Sequence, residues 1–423
     1  MKSKMVLRSW VLFVLSLGSS LSPSWAASIT NADTGGNLTA GASWVGHVAP
    51  GASDVAVWAT NRTSGTSALG GAASWAGIQI LSPTTPIVIS SDGNTLTLGA
   101  LGVDMSLAAN ILTLDCLVTL GANQNWNVAS GQTLTVEGTV SGSGTLTKTG
   151  SGTLTLNGKD SGTGLTAVLA GDLVLASSGL ISCPISVAAG ATFDVSQSSV
   201  FSLIPNQSLS GSGTVVGPLS ALLGGTISPG GAGVAGTLTI SNGLAENGGV
   251  SGVTNFFMLS KPGGANDLLS VIGDLDVNNT NTITLSEFGG GAIPFGTYPL
   301  ITYTGSFNGG ITNFTLTPVG VSAILTNITT TTPRQIAVVL SPSSLPLISR
   351  EVLSAGGTTI TLSATNGTAL RLAVVLTSPN IALPFADWTP VATNNFDGSG
   401  DLLNLPVPAS PTATQQFFVI EEY

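Results

Sequence analysis

Charged residues are scarce in this chain. Only 7% of its 423 residues are Asp, Glu, Lys or Arg, whereas ordinary soluble domains carry roughly 25%. Its surface therefore has to be built from Thr, Ser, Asn and Gly. Ten basic residues stand against 20 acidic ones, for a net charge of −10. Because phosphate binding needs clustered Lys and Arg, we expect no nucleic-acid partner, and no attraction to anionic lipid headgroups.

Histidine and cysteine are nearly absent, and this limits the chemistry of any site. His47 is the only histidine, so a Ser-His-Asp triad is not expected. Cys116 and Cys183 are the only cysteines, and two cysteines do not make a structural zinc site. The sequence predicts no cofactor and contains no catalytic motif of comparable clarity to its repeats, so a non-enzymatic role is favoured.

Long apolar runs are scarce as well. The run Trp10 to Leu17 is well short of the ~20 residues that a membrane-spanning helix needs. Three basic residues precede it, and the small-residue site at residues 24–26 follows. We interpret residues 1–26 as a cleaved secretory signal peptide, with an uncleaved membrane anchor as the alternative. The mature chain is then expected to have no transmembrane span and to be secreted or held at the outer cell surface.

One short sequence repeat, called the phrase below, recurs many times in the chain. It consists of a small turn followed by a strand in which Thr and Leu alternate. Repetition at this scale indicates a stack of coils, and the 55 glycines suit the corners of such coils. The sequence predicts an all-β fold, with a right-handed parallel β-helix over residues 92–340. Copies of the phrase lie at residues 92–98, 108–114, 130–136, 150–156, 170–175, 189–195 and 235–240, with a diverged copy at 211–216.

Alternation within the phrase predicts which side chains point inward. A period of two places the two apolar residues of each phrase on one face of a strand, and the residue between them, usually Thr, on the other. Stacked coils would then form apolar columns inside and ladders of uncharged threonines outside. The first apolar residues are expected to occupy equivalent places: Leu96, Leu112, Leu134, Leu154, Leu173, Phe193, Val215 and Leu238.

The stack also bears on the two cysteines. Cys116 and Cys183 lie about three coils apart at this repeat length, and each coil rises by about 4.8 Å. A disulfide needs Cα atoms within about 7 Å. We therefore interpret both residues as buried free thiols, with a disulfide in an oxidising compartment as the alternative.

The segments flanking the repeats differ in composition. Residues 27–91 contain Trp44, Trp58 and Trp75, which we interpret as a cap on the open end of the solenoid; a sugar-stacking platform is the alternative. Residues 341–347 are rich in Ser and Pro and read as a linker. Residues 348–423 are predicted to form a small antiparallel β-sandwich, with strands near residues 358–363, 370–376, 388–393 and 417–421.

Part of the repeat resembles a known family. SGSGTLTKTGSGTLTLNG, residues 141–158, resembles the autotransporter-associated β-strand repeat of secreted bacterial passenger proteins, and residues 211–240 are similar to another form of it. The resemblance covers roughly residues 96–340 and implies a right-handed parallel β-helix outside the cytoplasm. Family members end in a membrane barrel, which we expect the tail after Leu340 to be too short to form. Residues 387–423 instead resemble a small C-terminal module of secreted repeat proteins, so we expect export by another route.

Two groups of side chains are candidates for chemistry. Asp172 and Asp194 flank inward residues of neighbouring coils, with about 8 Å between their Cα atoms. They are either solvated acids or the carboxylate pair of an inverting glycosidase.

The second group is a run of oxygen-bearing residues near the C-terminus. Alternating oxygen ligands of this kind begin a calcium loop, although the distal Glu is missing. A Gly-rich hairpin turn is the alternative explanation. The residues are Asn395, Asp397, Ser399 and Asp401.

These observations favour a secreted or cell-surface, structural or adhesion-type bacterial β-solenoid with no catalytic activity. An extracellular protein that binds or degrades polysaccharide is the alternative. The expected partners are extracellular polysaccharides or cell-surface components.

Overall fold

The computed structural model describes residues 26–59, 65–222, 224–231, 233–247, 252–317, 321–341, 346–384, 387–413 and 415–423. The predicted signal peptide, apart from Ala26, and residues 342–345 of the predicted linker lie outside these residues. Within the described residues, the regular secondary structure is mainly strand, with short 3-10 helices at Gly41–Ser43 and Ile311–Asn313. No helix in these ranges is long and apolar enough to cross a membrane.

The first strands already run parallel to one another. Buried residues alternate with half-buried ones along much of their length, as suits strands with one side on a core. The strands are β1 (Ser28–Thr30), β2 (Val55–Trp58), β3 (Thr66–Ala68), β4 (Ala73–Leu81), β5 (Ile87–Ser90) and β6 (Thr95–Leu107).

The central strands are shorter and more regular, with two to five residues each. They are β7 (Leu112–Leu114), β8 (Leu117–Leu120), β9 (Gln124–Val128), β10 (Thr133–Val136), β11 (Val140–Gly142), β12 (Leu146–Thr149), β13 (Thr153–Leu156), β14 (Lys159–Asp160), β15 (Thr166–Val168), β16 (Asp172–Leu175), β17 (Leu180–Ile181), β18 (Ile185–Val187), β19 (Thr192–Asp194), β20 (Phe201–Leu203) and β21 (Ser208–Gly211).

The last coils have longer strands, and an antiparallel pair follows them. The strands are β22 (Thr214–Val216), β23 (Leu219–Leu222), β24 (Thr226–Pro229), β25 (Thr237–Ser241), β26 (Leu244–Asn247), β27 (Thr254–Leu259), β28 (Leu268–Ile272), β29 (Leu275–Asn278), β30 (Asn281–Glu287), β31 (Gly296–Tyr303), β32 (Phe307–Asn308), β33 (Phe314–Leu316), β34 (Ser322–Ile328) and β35 (Arg334–Ser341).

Three faces of stacked parallel strands enclose one core. A coil such as β10, β11 and β12 gives one strand to each face. Face 1 runs from β3 to β31 through β10; face 2 contains β11 and runs in two parts, β8 to β17 and β20 to β32; face 3 contains β12 and runs from β9 to β33. The long strands β4 and β6 each cover two faces. The prediction of a parallel β-helix is confirmed.

The inward-pointing residues of face 1 form one continuous, buried apolar column. From Ile87 to Val271 its members are 0–1% exposed. The prediction that one side of each phrase is buried is therefore confirmed. The column is Ile87, Leu112, Leu134, Leu154, Leu173, Phe193, Val215, Ile240 and Val271.

Two of the predicted equivalences are wrong. Leu96 is buried but lies on face 2, where it pairs with Val118. Ile240, rather than Leu238, stands beside Val215. Both errors have the same cause. Alternation predicts which side of a strand points inward, but it predicts neither the face on which the strand lies nor its register. A shift of two residues leaves the alternation pattern unchanged.

The parallel ladder extends to the N-terminus through β1, β2, β4 and β6. Residue 92, where the solenoid was predicted to begin, therefore marks no break in the sheet. The edges there are covered by the segment between β1 and β2, since Val45 N–H donates to Thr30 O at 2.8 Å and Leu38 N–H to Ala68 O at 2.9 Å. Covered edges resist pairing with other chains.

The three tryptophans of this region form one buried cluster. Trp44, Trp58 and Trp75 are 0–1% exposed, with ring centroids 5.6, 5.9 and 6.0 Å apart. The indole N–H of Trp44 donates to Leu38 O at 2.7 Å. Since a sugar-stacking platform needs exposed rings, that alternative is wrong for these residues, and the cluster fills the end of the core.

The other end of the solenoid closes differently. On face 1, β31 pairs in antiparallel fashion with β35, and β35 with β34. The parallel ladder stops there.

The C-terminal residues form two three-stranded antiparallel sheets packed on their own core, and the predicted sandwich is confirmed. The sequence missed β36 and β40. Ser341 and Leu347, at the ends of the predicted linker, are strand residues. The strands are β36 (Leu347–Leu353), β37 (Thr359–Thr365), β38 (Leu372–Ser378), β39 (Thr389–Asn395), β40 (Leu402–Pro408) and β41 (Phe417–Glu422).

Glycine at the coil corners permits a close approach between neighbouring coils. A Cβ atom on Gly144 would lie 2.1 Å from the carbonyl oxygen of Ala122 in the preceding coil. We expect Gly144→Ala to lower the free energy of unfolding by about 1–3 kcal/mol, because backbone has to shift. Chemical denaturation tests this, with Gly398→Ala as the control, since a Cβ there meets nothing within 4 Å. Equal midpoints for the two variants would contradict the close approach.

Candidate functional site: the outward rows of face 1

The outward side of face 1 carries two parallel rows of half-buried side chains. Consecutive members lie one coil apart, about 4.8 Å. The first row is Thr133, Thr153, Asp172, Thr192, Thr214, Thr239 and Ser270. The second row is Thr113, Thr135, Thr155, Val174, Asp194, Val216 and Ser241.

These rows confirm that the threonines between the apolar pairs point outward. Thr is β-branched and uncharged, so identical neighbours stack without repulsion. Among the row members, only Asp172 and Asp194 carry a charge. The rows therefore form a hydroxyl-rich strip, interrupted by Val174 and Val216, that lies directly over the apolar column.

Asp172 and Asp194 lie where the sequence placed them. Asp172 stands opposite Thr192, and Asp194 stands opposite Val174, one coil apart and two residues along. Both are half-buried on the outward side, and Asp194 Oδ1 accepts a hydrogen bond from Ser196 N–H at 2.8 Å. The geometry thus brings the two acids to one surface, and their catalytic interpretation stays a prediction.

Sequence reasoning missed a buried lysine beside this surface. Lys148 is 0% exposed, and its Nζ donates to the carbonyls of Thr149, Gly150 and Ala170 at 2.9, 2.8 and 3.1 Å. Burial lowers the pKa of Lys148 to about 8, and the Asp172 carboxylate partly offsets this. Three donors to three carbonyls match the ammonium form. The alternation Leu146, Thr147, Lys148 contained the signal, because it places Lys148 inward.

Buried acids at the coil corners form a second feature. Asp160 is 2% exposed; its Oδ1 accepts from Gly162 N–H and its Oδ2 from the Thr166 hydroxyl, at 3.0 and 3.2 Å. Burial raises the pKa of Asp160. Asp267 accepts from Met258 N–H at 2.8 Å and Gly236 N–H at 3.1 Å, and burial raises its pKa as well. These carboxyls hold coil corners in place.

The cysteines are both buried and free, which confirms their interpretation as unpaired thiols. Burial raises the pKa of each to about 12. Cys183 Sγ lies 3.1 Å from the Thr166 hydroxyl. Neither thiol is a nucleophile at neutral pH, because the thiolate is the reactive form.

The proposed calcium residues start with Asn395, the last residue of β39, and continue in the turn that joins β39 to β40. These strands belong to different sheets, so the turn is not a hairpin within one sheet, as the alternative supposed. Asp397 Oδ1 accepts from the N–H groups of Ser399 and Asp401 at 2.8 and 2.9 Å, and these bonds lower the pKa of Asp397. In the ranges given above, no three His, Cys, Asp or Glu side chains group as metal ligands.

The calcium interpretation has a direct test. We expect Asp397→Ala to lower the melting temperature by a few degrees because two N–H groups lose their acceptor, and calcium to leave the wild-type melting temperature unchanged. Differential scanning calorimetry measures both, with Asp387→Ala at an exposed position as the control. A calcium-dependent rise that Asp397→Ala abolishes would establish a metal site.

A cavity of about 550 Å³ lies where the C-terminal sandwich meets the solenoid. Arg371 forms one wall; its guanidinium lies 4.5 Å from the centre of the Phe295 ring and donates to Ile293 O. Glu422 and the exposed Tyr423 also line it. The cavity combines aromatic and charged walls. The residues that line the cavity come from distant parts of the chain, so no sequence pattern predicts it.

Comparison with known proteins adds one similarity. No family model matches the chain. Over 194 residues the chain is 31% identical to the adhesin BmaC autotransporter of Brucella suis biovar 1 (strain 1330). The match covers 45% of this chain and 5% of that protein. The similarity is to an autotransporter, as the repeat suggested, while the particular repeat type stays a prediction.

Proposed function

We propose that this chain is an adhesion-type protein of the cell surface or the extracellular medium, without catalytic activity, that uses the outward rows of face 1 to contact its partner. The observation that carries the proposal is the hydroxyl-rich strip over a rigid apolar column. Its partner is an extracellular polysaccharide or another neutral cell-surface component. Similarity to part of an adhesin and the signal-like N-terminus support an external location.

Desolvation favours a binding face that carries few charges. A partner that covers charged groups has to strip their water, and that costs more than covering hydroxyls, which exchange one hydrogen bond for another. The rows carry two acids among fourteen positions. The stacked coils also hold the hydroxyls in fixed positions, so little conformational entropy is lost when a partner binds.

Adherence of the purified chain to cells or immobilised glycans tests the proposal. Thr135→Asp combined with Thr214→Asp adds two charges to face 1, each in a row that already tolerates Asp, and should weaken binding about tenfold or more, or roughly 1.4 kcal/mol. The control adds the same charges to face 3, as Thr147→Asp with Ser186→Asp, both outward and half-buried. Equal binding by the two double variants would overturn the role of face 1.

Location is tested separately, by fractionating the native host. The proposal expects the chain in the medium or at the outer surface. A chain found only in the cytoplasm would contradict it.

Degradation of polysaccharide, or its binding at the junction cavity instead of face 1, is the second candidate function, and two observations favour it. Asp172 and Asp194 share a surface, and the junction cavity combines Tyr423 with charged walls. Cleavage that Asp172→Asn or Asp194→Asn abolishes in a reducing-end assay would replace the structural proposal. Glycan binding without cleavage, lost in Tyr423→Ala, would place the ligand at the junction instead of face 1.

A further inference from the structure

One carboxyl group lies deep between faces 2 and 3. Glu246 is an inward residue of β26, two positions after Leu244, and is 0% exposed. Its neighbours in the adjoining coils are Ala221 and Val277. An ionised carboxylate at such a place would lose its hydration with no cation to replace it.

The partner of Glu246 comes from the next face. Asn255 is an inward residue of β27, 0% exposed, and is flanked by Ile227 and Ile283 in neighbouring coils. Its Nδ2 donates to Glu246 Oε2 at 3.0 Å. The remaining two oxygens, Glu246 Oε1 and Asn255 Oδ1, are buried and have no hydrogen-bond partner.

A single proton satisfies both of these oxygens. An ionised Glu246 leaves Glu246 Oε1 and Asn255 Oδ1 as two buried acceptors without a donor, whereas a protonated Oε1 could donate to Oδ1 while Oε2 accepts from Nδ2. We propose that Glu246 is neutral in the folded chain at acidic pH and shares its proton with Asn255, and that this acid–amide pair is a pH-sensitive contact between faces 2 and 3.

The surroundings of Glu246 agree with a neutral acid. Burial raises its pKa to about 7, and the Asn255 amide lowers it only in part. The acids of the adjoining strand β29 and the preceding turn, Asp276 and Asp274, are half-buried and exposed rather than in the core. On face 1 the same coils contribute Ile240 and Val271. Among the described residues, no Lys or Arg lies within ion-pair distance of Glu246, and no charge contributes to its pKa.

The direction of the pH effect follows from the raised pKa. Glu246 titrates near its ordinary value of 4.5 in the unfolded chain and near 7 in the folded one. Its stabilising contribution is complete below about pH 4.5 and is lost as the pH rises through about 7. The unfolding equilibrium constant should therefore increase roughly 300-fold over this interval.

Glu246→Gln isolates this contribution, because Gln is a permanently neutral analogue with the same two hydrogen bonds. Chemical denaturation at about pH 5 and about pH 8.5 measures the change. The wild type should be much less stable at the higher pH, and the variant should lack most of this decrease. The matched control is Glu137→Gln, an exposed glutamate that also accepts from an asparagine, Asn157. If Glu246→Gln keeps the full pH dependence of the wild type, the proposal is wrong.

Infrared spectroscopy of the wild type keeps the test decisive even if Glu246→Gln does not fold. A protonated carboxyl has a carbonyl band that an ionised carboxylate lacks. We expect the wild type to show this band near pH 6 and to lose it with a midpoint near pH 7. The band should persist in Asp160→Asn, which removes another buried acid. Hydrogen exchange should accelerate at β26 and β27 over the same pH range, after correction for intrinsic rates. The absence of any such band at pH 6 would overturn the proposal.

Discussion

Trp75→Ala should lower the free energy of unfolding by about 3–5 kcal/mol, the range for removing a buried tryptophan. The indole of Trp75 lies 5.9 Å from Trp44 and 6.0 Å from Trp58, centre to centre. Its removal leaves a cavity that backbone-paired strands cannot collapse to fill. Since each coil supports the next, the loss should spread from the N-terminal end rather than stay local.

Urea denaturation followed by tryptophan fluorescence measures this effect. Val48→Ala is the matched control, because it truncates an apolar residue of the same segment that is 62% exposed. The control should stay within about 0.5 kcal/mol of the wild type. A similar small loss in Trp75→Ala would show that the cluster does not support the end of the core.

The second large effect is expected from Lys148→Met, at about 3–5 kcal/mol of lost stability, because three hydrogen bonds from a charged donor are lost. Methionine fills a similar volume but donates no hydrogen bonds, so the carbonyls of Thr149, Gly150 and Ala170 lose a shared donor. Removing the buried charge recovers some desolvation energy. Each of these three half-buried carbonyls loses a hydrogen bond from a charged donor, worth about 1.5–3 kcal/mol, and together these losses exceed that recovery.

Thermal unfolding of Lys148→Met and Lys159→Met separates this effect from a general loss of positive charge. Lys159 lies on the following coil and is exposed, so its replacement should change little. A Lys148→Met chain as stable as the wild type would mean that water, not the ammonium group, satisfies these carbonyls.

Alternation alone predicted much of the fold. It predicted the inward residues from Leu112 to Val215 and the outward threonines, because burial of one strand side is a local property of sequence. It did not predict that Leu96 lies on face 2, or that Ile240 replaces Leu238 beside Val215. Those placements depend on where the chain turns the corners between faces, and a period of two does not predict the position of a corner.

The same limit applies to the polar groups. Lys148 is inward by alternation and was readable from the sequence. The Glu246–Asn255 pair was not, since its members lie on different faces and meet only because a corner brings the two strands together. Arg371 and Phe295 likewise meet across the junction with the C-terminal sandwich. Contacts of this kind depend on tertiary structure, not on a repeat.

The most direct test of the whole account is a pair of spin-label distances along face 1. Labels on Thr133→Cys and Thr192→Cys are three coils apart, and labels on Thr133→Cys and Thr239→Cys are five coils apart. The native cysteines are buried with pKa values of about 12, so they should not react. The two extra coils should lengthen the distance by about 10 Å, with narrow distributions. Equal distances, or broad distributions that do not scale with coil number, would contradict the stacked column on which the proposed adhesive face depends.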